Sequence, residues 1–500
     1  MNTKEKKKSV KTFSVENIKN YFSGLSVNPK ILTYTFWIVL LYFGINSIME
    51  LATDTYATFE EAGTWQWMLY ENGRVINGLI YYVIEAIGLS GGIIYYLSYA
   101  AALFFLYSAL VIIAHVLLQY QENAFFCVLL ATVTVVNPFF IEYFLFIEKG
   151  LFMFAIFCNA VAFGAVAYFF RTKKKKALLL AALSLLLAVF IYQVTLGLFV
   201  ILCLPLILKH TKNAKDFFIG NLLVAGLYGS NLLLAFLVTK FCLKSSRMGG
   251  ISNIFENLRV VLNKVVDIST GKFFQLNDYY RFILLVFAVI LLCIFLEKKP
   301  ANMWILPAYI YLTAGCIIVS FFPYIMGVYG AYESRIIYPY GCILGMLLIW
   351  CTLSLNPAKI GKQLLLVLLC FLAFWQYRNY QDIFIERYKC NQADRYLCEI
   401  IGNEIKDYEA ETGIEIKTIC YYKDQVETWA DHGFHTSELN VRAQSCGWSK
   451  LNAMNYYLDK DYVMGDPLDE YTEYFGQFNW DTYADEQLIF AGDTLHICSY

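Results

Sequence analysis

The strongest constraint on this chain is a series of apolar runs long enough to cross a lipid bilayer. A transmembrane helix needs about 20 mostly apolar residues. The first run extends from Ile31 to about Leu51, and further runs follow it along the chain. Their approximate ranges are 92–118, 124–142, 151–170, 177–190, 193–208, 217–239, 282–296, 302–322, 336–355 and 363–380. We therefore predict an α-helical polytopic membrane protein with about eleven transmembrane helices, which excludes a purely soluble enzyme.

Lysine and arginine are concentrated in short segments between these runs. Such residues are retained on the cytoplasmic side of a membrane. All the basic segments fall on one side if 177–208 forms a hairpin of two short helices that turns near 191–193. The segments are Lys4 to Lys11, Arg171 to Lys176, Lys209 to Lys215, Lys298 with Lys299, and Lys359 with Lys362. We therefore expect a multi-pass plasma membrane protein, with a cytoplasmic basic N-terminus (1–30), a multi-span domain (31–380) and outer loops at 52–91, 240–281 and 323–335.

The formal net charge of -1 hides an acidic C-terminal segment. Residues 381–500 contain roughly 23 acidic and 9 basic side chains, and their patterning is that of a soluble domain. It predicts a helix at about 388–410, a strand at 414–422, a second helix near 448–458 and a final strand from 487 onwards. We expect a small extracytoplasmic α/β domain. Its five cysteines are predicted either to form one or two disulfides or to remain free thiols: Cys390, Cys398, Cys420, Cys446 and Cys498.

Ionisable residues at the predicted outer surface are the candidate functional groups, because a charge at a membrane is costly to place. Asp54 follows the first span, and Glu60 and Glu61 lie further along the same loop. A carboxylate there can act as a general base towards a hydroxyl group, or it can be a solvated loop acid. Spacing alone does not separate these two interpretations.

Two cations occur at comparable positions. Lys149 either pairs with Glu148 or faces a lipid phosphate, since a phosphate leaving group needs positive charge nearby. Arg335 is suited to bidentate phosphate binding or to anchoring the chain at the interface. Tyr192 and Gln193 interrupt the apolar hairpin at its predicted turn, where they can reach a sugar or a phosphate or only cap the turn.

Several other chemistries have no sequence support. The chain contains neither a phosphate-binding G-x-x-x-x-G-K-[ST] loop nor a G-x-G-x-x-G motif, which excludes motif-based nucleotide binding. The lysine-rich run from 173 to 176 indicates topology and contact with lipid headgroups, and no nucleic acid is expected. His432 and His435 lack the further ligands that a metal site needs. We expect no metal and no cofactor.

The order of these features resembles the serotype-converting Gtr-type glucosyltransferases, which are polytopic enzymes of the GT-C class. The resemblance rests on an acidic residue that closes the first span, a first outer loop with a GR pair, the NPFFIEYFLF segment before an acidic residue, a YQ pair at a hairpin tip, and an outer C-terminal domain. It covers most of the chain. It implies transfer of a glucosyl or related hexosyl unit from a polyprenyl-phosphate carrier to a cell-envelope polysaccharide or glycolipid on the outer face of the membrane.

The resemblance also implies roles for individual residues. The catalytic acid that GT-C enzymes carry in the first outer loop maps to Asp54. The paired acids common there are replaced by Asp54-Thr55, with Glu60 and Glu61 further on, so which carboxylate is the base stays open. The residues expected to bind the donor phosphate are Arg74, Lys149 and Arg335. Those expected to bind the sugar or the acceptor are Glu148, Tyr192 and Gln193. Direct displacement of the phosphate would invert the anomeric configuration.

Two other functional classes fit the same pattern. A flippase or transporter of a lipid-linked saccharide would use the loop charges as a gate along its pathway. A polysaccharide polymerase or ligase would act on a diphosphate-linked donor at the same face of the membrane. The acid-rich first loop and the large hydrophilic outer segments favour the transferase.

Overall fold

A computed structural model describes most of the chain. The described residues are 28–44, 49–60, 63–243, 254–269, 279–296, 305–325, 335–355, 359–425, 441–480 and 483–498. The candidate base Glu61 and the histidines His432 and His435 lie outside these ranges, and so does the side chain of Glu60.

The described part before residue 412 is almost entirely helical. Its helices are α1 (Pro29–Val39), α2 (Thr53–Glu60), α3 (Val75–Ile87), α4 (Gly91–Leu118), α5 (Ala124–Val135), α6 (Glu142–Leu145), α7 (Lys149–Thr172), α8 (Lys176–Ile191), α9 (Leu196–His210), α10 (Ala214–Leu237), α11 (Ile254–Ser269), α12 (Tyr279–Leu296), α13 (Ile305–Ile325), α14 (Tyr338–Gly341), α15 (Ile343–Trp350) and α16 (Lys359–Thr412). Local signals set several starts: the Asn28 side chain accepts from Lys30 N, and Pro29 opens α1, as expected at helix N-termini.

Six helices in the described residues are long and apolar enough to cross a membrane, or seven if the bent pair α5 and α6 forms one span. Five shorter apolar helices, of 10–17 residues, accompany them. The bent pair turns by 58° at Asn137, where Pro138 follows and interrupts the regular helix. The chain is therefore a helical membrane-associated protein, in agreement with the class predicted from its apolar runs.

The two ends of α7 and α9 lie in different surroundings, which distinguishes the two ends of the bundle. At one end, Tyr120 after α4 and His210 at the end of α9 share a hydrogen bond of 3.0 Å. His210 also lies within electrostatic range of Arg171, Lys173 and Lys209. The opposite end of the bundle holds the first residues of α7 and α9 and the last residue of α8. The described lysine-rich connections at 171–176 and 209–215 therefore lie at the end opposite to the candidate site residues.

The last long helix runs through residue 381, where we predicted the membrane domain to end. α16 is a single helix of 54 residues, Lys359–Thr412, so the separate helix predicted at 388–410 is the continuation of the predicted final span. Its first half is apolar, and its second half carries charged residues together with buried polar ones such as Asn391 and Asp394. The membrane part and the C-terminal part are therefore joined by continuous helical backbone.

The described C-terminal residues form a four-stranded sheet and two helices. The strands are β1 (Thr418–Tyr422), β2 (Val463–Met464), β3 (Leu488–Ala491) and β4 (Thr494–Cys498), in the order β2-β1-β4-β3, and the helices are α17 (Lys450–Leu458) and α18 (Asp469–Phe475). The single final strand that we predicted is wrong, because β3 and β4 are antiparallel partners with a turn at Gly492, whose φ is 63°. The fourteen cysteines are all described, and all are free thiols.

The C-terminal part packs directly on the segment that follows the first apolar helix. Asn391 of α16 accepts from Leu51 N at 2.9 Å and donates to Leu51 O at 2.9 Å. The Ser449 hydroxyl donates to Thr53 O at 2.8 Å, and the hydroxyls of Tyr56 and Tyr457 are 2.6 Å apart. The predicted outer loop 52–91 is largely helical, and its first helix, α2, is held by these contacts.

Candidate active site

The break between α5 and α6 brings Glu142 to the site end of the bundle. The Asn137 side chain accepts from Phe139 N at 3.0 Å, and the Tyr380 hydroxyl donates to Asn137 O at 2.6 Å. These bonds satisfy backbone groups that the broken helix leaves without partners. Glu142 opens the short helix α6 and is 3% exposed, so it needs a cationic partner.

Arg335 is that partner. Its Nη1 lies 2.5 Å from Glu142 Oε1, and its backbone N–H donates to Glu142 Oε2 at 2.6 Å. The guanidinium carbon also lies 4.6 Å from the centre of the Phe146 ring, and the Tyr143 hydroxyl donates to Arg335 O at 2.7 Å. With its side chain 22% exposed, Arg335 is a positioned cation at the edge of the bundle.

A second buried ion pair joins Arg74 to Glu148. Arg74 Nη1 and Glu148 Oε1 are 3.8 Å apart, with side-chain exposures of 12% and 7%. The Arg74 guanidinium lies 4.7 Å from the centre of the Tyr192 ring, so the predicted hairpin-tip tyrosine directly contacts a predicted phosphate-binding arginine. The backbone before Arg74 requires a glycine at position 73. The φ of Gly73 is +65°, and a Cβ there would lie 2.5 Å from Thr239 Cγ2.

Burial raises the pKa of Glu148 above its ordinary value, while Arg74 opposes that rise. Asp54 raises the pKa further, and Arg335 lowers it. These influences require the four groups to lie within electrostatic range of one another. Glu148 is therefore the group around which the predicted acids and arginines are arranged.

Lys149 follows Glu148 but has a different environment. It is 1% exposed, and its Nζ lies 3.7 Å from the centre of the Tyr95 ring and 5.5 Å from that of Tyr99. Close packing of α7 on α4 produces this burial, since a Cβ at Gly150 would lie 2.8 Å from Ser98 O. Lys149 is thus a covered cation held by cation–π contacts.

Glu50 is a site residue that the sequence analysis missed. It is 9% exposed, and its backbone N–H donates to the Tyr95 hydroxyl at 3.2 Å. Burial raises its pKa from 4.5 to about 7, while Arg387 and Lys149 oppose the rise. The available signal was its position at the end of the first apolar run, four residues before Asp54.

Asp54 lies in the first turn of α2 and is partly exposed. Negative charge is favourable there because of the helix dipole. Its Oδ1 accepts a hydrogen bond of 3.0 Å from the indole Nε1 of Trp448, a residue of the C-terminal part that sequence reasoning did not select. The partly exposed carboxylate is therefore oriented by a donor almost 400 residues away in sequence.

The structure brings together most of the predicted site residues. Asp54, Arg74, Glu148, Arg335 and Tyr192 are linked by the contacts and electrostatic influences above, Lys149 lies behind Tyr95, and Gln193 begins the single turn between α8 and α9. Within the described ranges, there is no group of three or more histidine, cysteine, aspartate or glutamate side chains that could hold a metal ion. The arrangement offers buried and partly exposed cations beside a carboxylate, which is suited to charge stabilisation and proton transfer.

Comparison with known proteins adds a family. No individually curated protein matches the chain. The family model described as glucosyl transferase GtrII matches residues 41–350, a range that includes Glu50, Asp54, Arg74, Glu148 and Arg335. The match confirms the resemblance to Gtr-type glucosyltransferases, and the chain therefore belongs to the GtrII glucosyl transferase family, whose chemistry is the transfer of a glucosyl unit from a donor to an acceptor.

Proposed function

We propose that this protein is an inverting GT-C glycosyltransferase that moves a glucosyl unit from a polyprenyl-phosphate carrier to a polysaccharide or glycolipid of the cell envelope. The observation that carries the proposal is the grouping of Asp54, Glu148, Arg74 and Arg335 at one end of the helical bundle. A phosphate leaving group needs cations at the departing oxygen, and an attacking hydroxyl needs a base. Both kinds of group occur in this cluster.

The charge distribution supports an outer-face site. Basic connections indicate the cytoplasmic side, and the described ones at 171–176 and 209–215 lie at the end of the bundle opposite to the cluster. If α3 (Val75–Ile87) stays in the predicted outer loop 52–91, the six long helices, the bent pair and the other four shorter apolar helices give eleven membrane elements, the odd number that this topology needs. In this topology the N-terminus is cytoplasmic, and the C-terminal part lies outside with the reacting groups.

Arg74 and Arg335 are the proposed donor-phosphate ligands. Both guanidinium groups are partly exposed and already oriented, one over Tyr192 and the other by Glu142. Lys149 lies covered behind Tyr95 and contributes positive potential without direct solvent access. Preorganised cations of this kind stabilise charge that develops in the transition state.

Glu148, Tyr192 and Gln193 are proposed to orient the transferred sugar. Glu148 and Tyr192 both lie next to the Arg74 guanidinium, at 3.8 Å and 4.7 Å. A sugar attached to a phosphate at Arg74 would therefore meet a carboxyl group and an aromatic ring. Its hydroxyl groups would hydrogen bond to Glu148 and Gln193.

Asp54 is the proposed base, with Glu60 and Glu61 as alternatives on the same segment. The acceptor oxygen attacks the anomeric carbon, the bond from that carbon to the phosphate oxygen breaks, and the acceptor proton passes to the carboxylate. The electron pair leaves with the polyprenyl phosphate, whose charge the arginines balance. A single displacement inverts the anomeric configuration. No metal is needed if guanidinium groups provide this charge.

The test is Asp54→Asn in purified protein, supplied with polyprenyl-phosphoglucose and oligosaccharides released from the cell-envelope polysaccharide of the producing cells. Loss of a base should lower kcat by about 100-fold or more, while the protein still accumulates in the membrane. Glu71→Gln is the matched control, since Glu71 is an exposed acid on the same segment. An active Asp54→Asn variant would remove Asp54 from the mechanism.

The wild-type protein tests the alternative functions. Movement of the intact lipid-linked sugar across vesicle membranes without transfer would establish a transporter. Turnover of only a diphosphate-linked donor would establish a polymerase or ligase.

A further inference from the structure

The connection between residues 442 and 449, here called the Trp448 loop, is fixed at both ends. At its start, Arg442 Nε donates to Asp394 Oδ1 at 3.0 Å, and Ala443 N donates to Asp394 Oδ2 at 2.7 Å. At its end, the Ser449 hydroxyl donates to Thr53 O at 2.8 Å. Asp394 is fully buried, so these bonds are shielded from water and hold the loop strongly. The loop is a rigid support.

This rigid loop presents an exposed aromatic side chain. Trp448 is 65% exposed, and the preceding Gly447 is exposed, with nothing within 4 Å of the position that a Cβ would take. Exposing most of an indole forgoes the hydrophobic gain of burying it. The Trp448 Nε1 donor is nevertheless engaged, at 3.0 Å from Asp54 Oδ1. An open ring therefore lies immediately beside the carboxylate of Asp54.

We propose that Trp448 forms the acceptor-saccharide subsite, an inference that rests on the function proposed above. Sugar rings have an apolar face of C–H groups and an edge of hydroxyl groups. The apolar face of the acceptor ring packs on the exposed indole, which directs the edge towards Asp54. The indole N–H simultaneously holds the carboxylate in the orientation from which it removes the acceptor proton.

The hydrogen bond distinguishes this role from that of a membrane anchor. Interfacial tryptophans place an apolar ring in lipid and the N–H in the headgroup layer. Trp448 directs its N–H to a carboxylate of the same chain, on a loop tied to α16 and α2. An acceptor sugar packed on the ring would explain why the ring is exposed. The place of that sugar beside Asp54 would explain why the indole N–H binds this carboxylate.

The proposal predicts a separation of kinetic constants. Trp448→Ala removes the platform and should raise the acceptor KM about tenfold, with the donor KM unchanged. Trp448→Phe keeps an aromatic face but loses the N–H, so the acceptor KM should stay within about threefold of wild type while kcat falls several-fold. Tyr396→Ala is the matched control, because Tyr396 is a 68% exposed aromatic residue of α16. It should leave every constant unchanged.

Acceptor binding measured by calorimetry without donor separates this proposal from the proposed function. The probe is the same released oligosaccharide. Weaker binding to Trp448→Ala than to wild type or Tyr396→Ala supports the subsite even if polyprenyl-phosphoglucose is the wrong donor. Equal binding to all three proteins, or an unchanged acceptor KM in Trp448→Ala, would overturn the subsite and leave a transferase with Asp54 as base intact.

Discussion

Arg335 binds Glu142 through both its backbone N–H and its guanidinium group, at 2.6 and 2.5 Å. The pair joins the start of α6 to the residues before α14, which are almost 200 positions apart in sequence. A residue proposed to hold the donor phosphate therefore also satisfies a buried carboxylate. Its two roles can be separated by substitution.

Arg335→Lys should preserve folding but impair the reaction. Lysine keeps a positive charge beside Glu142, so the protein should accumulate normally, but it lacks the planar fork that binds a phosphate in two places. We expect kcat to fall about tenfold, because lysine cannot replace the bidentate contact of arginine with the phosphate. Arg335→Ala leaves the Glu142 carboxylate buried without its cation, at a cost of about 3–5 kcal/mol, and should lower the thermal unfolding temperature markedly. An unfolding temperature for Arg335→Ala equal to that of wild type would contradict the structural role.

Glu50 should make stability depend on pH. Burial raises its pKa from 4.5 to about 7, so the folded protein keeps this proton over a range in which the unfolded chain releases it. The contribution of Glu50 therefore makes folding less favourable as the pH rises through that range. Thermal unfolding in detergent between about pH 5 and pH 8 should show this fall in wild type and a flatter profile in Glu50→Gln. Identical profiles would show that Glu50 titrates normally.

Asn391→Ala should loosen the segment that carries Asp54. It removes the donor and the acceptor that bind both backbone groups of Leu51, which costs about 1–3 kcal/mol. We expect a lower unfolding temperature together with a reduced kcat. Arg395→Ala is the control on the same helix, since it breaks an ion pair with Glu399 whose members are 59% and 51% exposed. Such surface pairs contribute about 0–1 kcal/mol, so equal effects of the two substitutions would show that the Asn391–Leu51 hydrogen bonds do not hold this segment.

Gly73→Ala should weaken donor binding. Both Gly73 and Gly88 have positive φ, 65° and 71°, and alanine costs about 1 kcal/mol or more in that conformation. At Gly73, the added Cβ would also overlap Thr239 and displace the adjacent Arg74, so the donor KM should rise. Gly88→Ala meets nothing within 4 Å and should lose some stability without changing that constant. A donor KM unaffected by Gly73→Ala would argue against Arg74 as a phosphate ligand.

Turnover should persist in excess chelator. The proposed charge stabilisation comes from Arg74, Lys149 and Arg335, and the described residues offer no group of three or more metal-binding side chains. The measurement is glucosyl transfer after dialysis against EDTA, compared with samples to which Mg²⁺ or Mn²⁺ is restored. Complete loss of activity that the metal ions restore would replace the arginine mechanism with a metal-assisted one.

Features encoded in local sequence could be predicted well. Hydropathy located nearly every long helix, and the polar Tyr192-Gln193 pair marked the turn where α8 ends at Ile191. Both are properties of contiguous residues. The ionisable residues near the ends of apolar runs, such as Asp54 and Arg335, were recognisable because charge at a membrane needs a specific reason.

Features created by distant contacts could not be predicted. Nothing in residues 441–449 indicates that Trp448 reaches Asp54, since this contact depends on how the C-terminal part packs on α2. The pairing of Arg74 with Glu148 and the stacking of Lys149 on Tyr95 likewise depend on helix packing. The continuity of α16 was missed because its composition changes from apolar to charged near residue 381 while its helical hydrogen bonding continues.

The unbroken α16 fixes a distance between its first residue and the segment that carries Asp54. At about 1.5 Å per residue, the 32 steps from Lys359 to Asn391 span about 50 Å, against about 30 Å for the hydrocarbon core of a bilayer. Asn391 holds Leu51, and Leu51 leads into the helix that carries Asp54. The length of one helix thereby sets how far Asp54, the proposed base, lies from the apolar half of α16, and adding or removing a turn would shift Asp54 by about 5 Å relative to the proposed phosphate ligands.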